Sequence, residues 1–310
     1  MGLRLVAAVQ WQSLSAQEHG THVAKGPLGT VEFPVSCTAG AREPFTRGVA
    51  LLHSLTYEES EEAFRDAAAR APRCAMANWG LAMTEYHQLW EPYAGPAELQ
   101  RGSAEIQRAR VLKPGTPRKK DYAEALGVFY DGWEQRSHAA RAMAYRDAMC
   151  GVHERNPKDQ EAAIFDALAL VATAAPEDKT YGNQRKAAGI LEPVFAAPPD
   201  HPGVAHYLIH AYDNPALAPP GVAAARAYSK IAPGLPHAWQ TTPSTASCCS
   251  RQKRIRASPQ SSRRVAKDSR ACRESAEGFS AQESLQTGAE VWSHRRRGFN
   301  RKRTCRRQAC

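Results

Sequence analysis

The chain has 310 residues, which is enough for one helical-repeat domain or two small globular domains. Its formal charge of +10 is unevenly distributed, because residues 240–310 carry 17 Lys+Arg and 5 Asp+Glu, whereas residues 1–239 carry 24 and 26. The first 239 residues are therefore almost neutral and give no sign of nucleic-acid binding. No run of about 18 apolar residues occurs, so the sequence predicts no membrane span.

Residues 1–42 form a separate N-terminal segment. An early Arg4, the apolar run LVAAV and the small residues LSA are features of an export signal, but the apolar run is shorter than usual. Two interpretations stay open, a degraded export signal or a plain disordered start. We interpret residues 17–42 as a linker with a short extended piece at Gly29–Val35.

Helical periodicity begins at residue 43. The spacing of apolar residues predicts helices over Phe45–Leu55, Tyr57–Ala71 and Cys74–Trp90. In the second, one face carries small or apolar residues and the other carries seven acidic or basic residues before Pro72 ends the helix. A face of this kind needs neighbouring helices to cover it.

A repeat extends from residue 43 to residue 238. A bulky residue, a small residue three positions later and a proline five positions after that recur along the chain, ending at Pro72, Pro114, Pro157, Pro199 and Pro233. Successive prolines are 42, 43, 42 and 34 residues apart. A period of this size, with one helix pair per unit, predicts an all-α protein of the α-solenoid type.

Residues 41–74 resemble a tetratricopeptide repeat, with Gly48 at the close approach of the paired helices, Phe64 and Ala67 as the packing pair and Pro72 as the terminal proline. The strings CAMANWGLAMTEYHQLWEP and DHPGVAHYLIHAYDNPALA also resemble a bacterial branch of tetratricopeptide proteins that are usually exported. The resemblance covers about residues 28–238. It implies five antiparallel helix pairs in a right-handed superhelix, with an exported or periplasmic location; without an export signal the location would be cytoplasmic.

The resemblance also implies a concave groove lined by the first helix of each pair. Transferring that geometry selects residues that would contact a protein or peptide partner: His53, Trp79, Met83, Tyr86, His87, His206 and His210. For Trp79 and Tyr86, helical spacing favours a place in the core instead.

The segment HPGVAHYLIHAYD contains the most specific candidate site in the sequence. His206, His210 and Asp213 fall on one helical face, where two imidazoles and a carboxylate can hold a divalent metal ion. The segment lacks the acidic residue that follows the first histidine in hydrolytic HExxH helices. Structural roles are the favoured interpretation of the three residues, and groove contacts or metal binding are the alternatives.

Eight cysteines occur, and none forms a Cys-x2-Cys pair, which gives no support for a cysteine zinc site. Cys37, Cys74 and Cys150 lie in or near the helical part, and we expect them to be structural or free. No phosphate-binding loop or nucleophile motif is present, so the sequence predicts neither catalysis nor an organic cofactor.

Residues 239–310 lack periodicity and are rich in Arg, Ser and Cys, which predicts a disordered tail. The favoured interpretation is a shift of reading frame just after His237 and Ala238. The alternative is a basic arm that binds nucleic acid. The leading function predicted from the sequence is a scaffold that binds a peptide or protein, with a metal-binding protein or metal-dependent enzyme as the first alternative.

Overall fold

The computed structural model describes residues 26–89, 92–197, 200–214, 216–235 and 237–238. Within these residues the chain forms ten α-helices and one 3₁₀ turn, with no β-strand, so the predicted all-α class is confirmed there. The α-helices are α1 (Ala39–His53), α2 (Tyr57–Arg70), α3 (Ala75–Thr84), α4 (Pro96–Leu112), α5 (Pro117–Tyr130), α6 (His138–Arg155), α7 (Gln160–Ala172), α8 (Gly182–Phe195), α9 (Pro202–Ala211) and α10 (Ala218–Ile231). The 3₁₀ turn is Trp133–Gln135.

Consecutive helices pack in pairs. The main interfaces join α1 to α2, α3 to α4, α5 to α6, α7 to α8 and α9 to α10, and each pair also contacts the next one along the chain. Pro72, Pro114, Pro157 and Pro233 each lie two residues beyond the last residue of an even-numbered helix. Four of the five periodic prolines therefore mark the ends of helix pairs as predicted, and Pro199 lies outside the described residues.

The bounds of α1 differ from the prediction, because the helix begins at Ala39 and contains Pro44. A proline inside a helix cannot donate to the carbonyl group four residues earlier. That carbonyl belongs to Gly40, and the Arg70 Nη1 atom of α2 lies 3.4 Å from it. The neighbouring helix thus supplies a donor where Pro44 has none, and the helix continues through the proline.

Helix α3 ends at Thr84, six residues before the predicted end at Trp90. The Thr84 hydroxyl donates to the carbonyl oxygen of Leu81 at 2.8 Å, a local bond that competes with continuation of the helix. Residues Glu85–Leu89 that follow adopt no helix.

Phe64 of α2 fixes the approach of α1 and α3. Its side chain is fully buried, and its ring lies against the backbone of Gly48 in α1 and of Gly80 in α3. A Cβ atom built on Gly48 would lie 2.8 Å from the ring, and one on Gly80 would lie 2.4 Å from it. The close approach expected at Gly48 is therefore confirmed, and Gly80 shares that role.

The segment 26–38 is packed into the protein and does not behave as the predicted linker. The Phe33 ring is buried and contacts one aromatic ring from each of three helices, with centroids 5.5 Å from Phe45 of α1, 5.3 Å from Trp79 of α3 and 5.1 Å from Tyr122 of α5. The Thr30 amide donates to the carbonyl oxygen of Asp200 at 2.9 Å. The segment thus runs from α5 across to the start of α9.

Helix α9 also contacts α1, so the last helix pair returns to the first. Among the odd-numbered helices, Phe165 of α7 contacts Trp79 and Tyr122, the same two rings of α3 and α5 that Phe33 contacts. The Phe33 ring thereby covers Trp79, one of the residues that the repeat pattern places in the groove.

A disulfide joins Cys37 to Cys74, whose Cα atoms are 5.2 Å apart. Cys37 precedes α1 and Cys74 is the N-cap residue of α3, so the bond fastens the N-terminal segment to the corner between α2 and α3. The sequence left open whether these two cysteines are structural or free, and the structure shows them bonded to each other.

Residues 1–25 and 239–310 lie outside the described residues. The predicted export signal, the predicted disordered tail and the predicted nucleic-acid arm all fall there. The helical domain predicted over residues 43–238 corresponds to the ten helices and to the short stretch after α10 that contains His237.

Candidate functional site

His206 lies in the middle of α9 and is fully buried. The helix starts at Pro202, which needs no amide partner at that position, and His201 serves as the N-cap by accepting the Gly203 amide at 3.1 Å. His210 follows His206 by four residues and therefore lies on the same face. The predicted pairing of these two histidines on one helix is present.

The Nδ1 atom of His206 lies 2.8 Å from the carbonyl oxygen of His53 at the end of α1. Because a carbonyl oxygen can only accept, Nδ1 carries the hydrogen atom. In a neutral imidazole the other nitrogen, Nε2, then carries a lone pair. This orientation is the one that metal-ligating histidines have in proteins, where the second nitrogen is held by a backbone or carboxylate oxygen.

Two further imidazoles point their Nε2 atoms at the same place. The Nε2 atom of His206 lies 3.0 Å from that of His210 and 3.1 Å from that of His237, which follows α10. The ligand atoms of all three residues lie within 4.8 Å of one another. Two nitrogens bound to one tetrahedral zinc ion at usual bond lengths lie about 3.3 Å apart, so these separations suit a shared ion.

All three imidazoles are held in the neutral form. Burial lowers the pKa of His206 well below its usual value, with further lowering from the neighbouring His210 and His237. Burial also lowers the pKa of His210 to about 3 and lowers that of His237. A metal ion binds the neutral imidazole, so the cluster needs no deprotonation to bind one at pH 7.

Packing holds the buried ring in place. The Tyr228 ring of α10 stacks on His206 with centroids 4.8 Å apart and an interplanar angle of 10°. The Tyr207 ring is stacked near it at 5.5 Å. His206 is therefore fixed by two aromatic contacts in addition to the polar contacts of its two ring nitrogens.

A second cluster lies behind the first and joins His53, Glu161 and His201, all of them buried. His53 Nε2 is 2.8 Å from one oxygen of Glu161, and His201 Nε2 is 3.0 Å from the other. Burial by itself would raise the pKa of Glu161, but the two imidazoles and their hydrogen bonds lower it to about 2. Glu161 is thus a carboxylate that accepts two N–H bonds.

The remaining nitrogens of this second cluster are also bonded. The Gly203 amide donates to His201 Nδ1, so the hydrogen atom of neutral His201 is on Nε2 and points at Glu161. His53 Nδ1 lies 3.0 Å from the Tyr207 hydroxyl, which donates to it while His53 Nε2 donates to Glu161. Burial lowers the pKa of His53, in keeping with a neutral ring.

The two clusters therefore differ in chemistry although their compositions are similar. In the first, the Nε2 lone pair of His206 faces two other imidazole nitrogens. In the second, the Nε2 hydrogens of His53 and His201 already point at the carboxylate, and a metal bound at His201 Nε2 would need a hydrogen on Nδ1, where the Gly203 amide donates. The second cluster is a closed hydrogen-bond network.

The structure changes the predicted metal set at one position. Asp213 is exposed beyond the end of α9 and does not belong to either cluster. The helix stops at Ala211, so Asp213 no longer follows the helical face that His206 and His210 share. His237 takes the third place instead.

The other predicted contact residues are mostly in the core. His53, Trp79, Met83 and Tyr86 are each at most 1 % exposed, so a partner could not reach them unless helices separated. His87 is half-buried and stacks on Tyr57 with centroids 4.3 Å apart. Their predicted role in a groove stays a prediction.

Sequence reasoning missed His237, Glu161 and His201 as members of clusters. His237 lies 31 residues after His206, and no local spacing links the two. Glu161 occupies the first turn of α7, where an acidic residue is ordinary because it suits the helix dipole. Only the return of α9 and α10 to α1 brings these residues together.

Fold and site together define a helical protein with a cluster of three histidines, one buried and two half-buried. No family model, curated protein or solved structure matches the chain. Among the helices of the described residues, none has the length and apolar character needed to cross a membrane.

Proposed function

We propose that the protein binds one divalent transition-metal ion through the Nε2 atoms of His206, His210 and His237. The observation that carries the proposal is the hydrogen bond from His206 Nδ1 to the His53 carbonyl oxygen, which directs the Nε2 lone pair at two other imidazole nitrogens. Two neutral imidazoles place their Nε2 atoms 3.0 and 3.1 Å from that nitrogen, close enough for the three nitrogens to share one ion.

The donor set favours particular metals. Imidazole nitrogen suits Zn²⁺, Cu²⁺, Ni²⁺ and Co²⁺, whereas Mg²⁺ and Ca²⁺ prefer oxygen. Three protein ligands leave a further position on a zinc ion for water or another ligand, and such an ion acts as a Lewis acid. Burial of His206 behind Tyr228 and Tyr207 keeps its imidazole from turning away from the cluster.

We also propose that the five helix pairs are tetratricopeptide-like units of one right-handed superhelix. Consecutive packing of the pairs and the prolines that end four of them support this proposal. Four of the predicted contact residues are buried, so a protein or peptide partner would then have to bind elsewhere on the surface. This is why metal binding, and not a concave peptide groove, is the function that we place first.

The disulfide between Cys37 and Cys74 supports an exported location. Disulfides persist in the periplasm and outside the cell and are rare in the reducing cytosol. The location stays a proposal, because the predicted export signal falls outside the described residues.

Titration of the full-length, tag-free chain with Zn²⁺ after removal of bound metal tests the metal proposal. We expect one ion per chain by calorimetry, and Co²⁺ in place of Zn²⁺ should give the visible absorption of a nitrogen-ligated ion. His210→Ala and His237→Ala remove half-buried ligands and should each weaken binding by roughly 10- to 100-fold or more. His206→Ala should abolish binding.

His87→Ala is the matched control, because His87 lies outside both clusters. It should bind metal as the wild type does. Circular dichroism of each variant separates loss of the site from loss of the fold. Equal zinc affinity in wild type, His210→Ala and His237→Ala, all folded, would contradict the proposal.

A further inference from the structure

A second feature, far from the histidine clusters in sequence, is a buried arginine without an acidic partner. Arg141 lies in the first turn of α6 and is 4 % exposed. Its Nε and Nη1 atoms are buried and have no hydrogen-bond acceptor. No carboxylate among the described residues pairs with it.

Two other arginines of the fold each have a carboxylate partner. Arg118 is half-buried, and it makes bonds from two nitrogens to the carboxylate of Asp159. Arg101 makes a two-bond contact with Glu85, at 2.7 and 2.9 Å. Arg141 therefore departs from the pattern of its own protein.

Two more unpaired polar atoms lie around the same aromatic ring. The Arg141 guanidinium sits over the Phe129 ring at 4.7 Å, and the Tyr86 ring lies 3.8 Å from Phe129 between centroids. The Tyr86 hydroxyl and the His138 Nδ1 atom are buried without a hydrogen-bond partner. The His138 ring lies 5.9 Å from Phe129 and 6.3 Å from Tyr86.

The cluster lies one side-chain layer below the surface. His138 is half-buried, and the Tyr93 ring stacks on it with centroids 3.7 Å apart. Tyr93 is itself 36 % exposed.

An unpaired buried charge is costly. Burial lowers the pKa of Arg141, but a guanidinium stays protonated at any ordinary pH, so the protein cannot relieve the cost by losing the proton. The cation–π contact with Phe129 returns only about 0.5–2 kcal/mol. Buried polar groups in folded proteins normally have partners, so three unpaired groups around one ring point to a missing one.

We propose that Arg141, Tyr86 and His138 bind the oxyanion of a small ligand, a carboxylate or a phosphate group. The guanidinium fork matches two oxygens of either group, and the Tyr86 hydroxyl and His138 Nδ1 supply further hydrogen bonds. The aromatic rings of Phe129, Tyr86 and Tyr93 suit a ligand with a flat or apolar body next to its anionic group.

Titration of the full chain with acetate, benzoate and inorganic phosphate at constant ionic strength, with thermal unfolding and calorimetry as readouts, tests the proposal. We expect saturable binding of one anion per chain. A preference for benzoate indicates a carboxylate ligand with an apolar body, and a preference for phosphate indicates a phosphate ligand. Arg141→Met should weaken binding of the preferred anion by roughly 10- to 100-fold, and Tyr86→Phe should weaken that binding less.

Arg155→Met is the matched control, because Arg155 lies on the same helix, is exposed and pairs with Asp121. It should bind the anion like the wild type. In anion-free buffer, Arg141→Met should be at least as stable as the wild type, since it removes an uncompensated buried charge. The contrary result is that Arg141→Met is less stable than the wild type and that no anion raises the unfolding temperature of the wild type more than that of the variant. Arg141 would then be a structural contact, and the proposal would be wrong.

Discussion

His206 donates a hydrogen bond from Nδ1 to the carbonyl oxygen of His53, 2.8 Å away, although 153 residues separate the two in the chain. His53 thereby serves two clusters at once. Its backbone orients His206, while its side chain bonds to Glu161 at 2.8 Å. The end of α1 is therefore the structural link between the proposed metal site and the buried carboxylate.

The first prediction concerns the number of metal ions. His53, Glu161 and His201 have the residue types of a metal site, but their Nε2 hydrogens already point at the carboxylate and His201 Nδ1 accepts the Gly203 amide. We expect His201→Ala to keep a stoichiometry of one Zn²⁺ per chain, measured by calorimetry and elemental analysis. Two ions in the wild type and one in His201→Ala would show that the second cluster also binds metal.

The second prediction concerns Glu161. Glu161→Gln keeps the shape of the side chain but places an amide N–H₂ where one of two imidazole N–H groups needs an acceptor. We expect the free energy of unfolding to fall by about 3 kcal/mol, measured by urea denaturation at pH 7. Glu32→Gln, at an exposed position near the same end of α7, is the control and should change stability little.

The same variant has a defined pH dependence. The pKa of Glu161 is about 2 in the folded protein against an ordinary value of 4.5, so the stability that it contributes is present above pH 4.5 and lost as the pH falls toward 2. The difference in unfolding free energy between wild type and Glu161→Gln should therefore shrink as the pH falls below 4.5. A difference that persists unchanged at pH 3 would contradict an ionised Glu161.

The third prediction concerns the contact of Phe64 with glycine. A Cβ atom at position 80 would lie 2.4 Å from the Phe64 ring, which is buried and cannot move freely. We expect Gly80→Ala to destabilise the protein by about 1–3 kcal/mol, measured by urea denaturation. Gly189→Ala in α8 is the control, because nothing lies within 4 Å of the added Cβ there, and it should stabilise by about 0.5–1 kcal/mol.

A double variant separates the ring contact from helix propensity. If Phe64 causes the loss at position 80, Phe64→Leu should remove much of the extra cost of Gly80→Ala. Additive effects of the two changes would mean that the loss has another origin.

The helix pairs could be predicted from the sequence because they depend on local signals. Apolar spacing located α2 to within one residue at its end, and the prolines located the ends of four of the even-numbered helices. The extent of α1 could not be predicted, because its passage through Pro44 depends on Arg70 from the next helix. Long-range contacts thus decided the bounds that local rules missed.

Part of the candidate site could be predicted from the sequence. His206 and His210 share one helix, so their spacing reveals their common face. Asp213 was a reasonable third ligand only while the helix was assumed to continue, and it ends at Ala211. His237 joins the site because α10 folds back over α9, and the Glu161 network forms because α9 returns to α1. Neither contact produces a periodic pattern in the sequence from which it could be predicted.

The last prediction concerns the disulfide between Cys37 and Cys74, which are 37 residues apart in the chain. Closing a loop of that length restricts the unfolded chain, and Cys37→Ala with Cys74→Ala should lower the free energy of unfolding by about 3–4 kcal/mol, measured by urea denaturation. The bond also holds the segment that carries Phe33 against α1, α3 and α5. We therefore expect amide hydrogens of residues 28–36 to exchange faster in the double variant than those of α7 or α8. Unchanged exchange in that segment, together with unchanged stability, would show that Phe33 packing alone holds it in place.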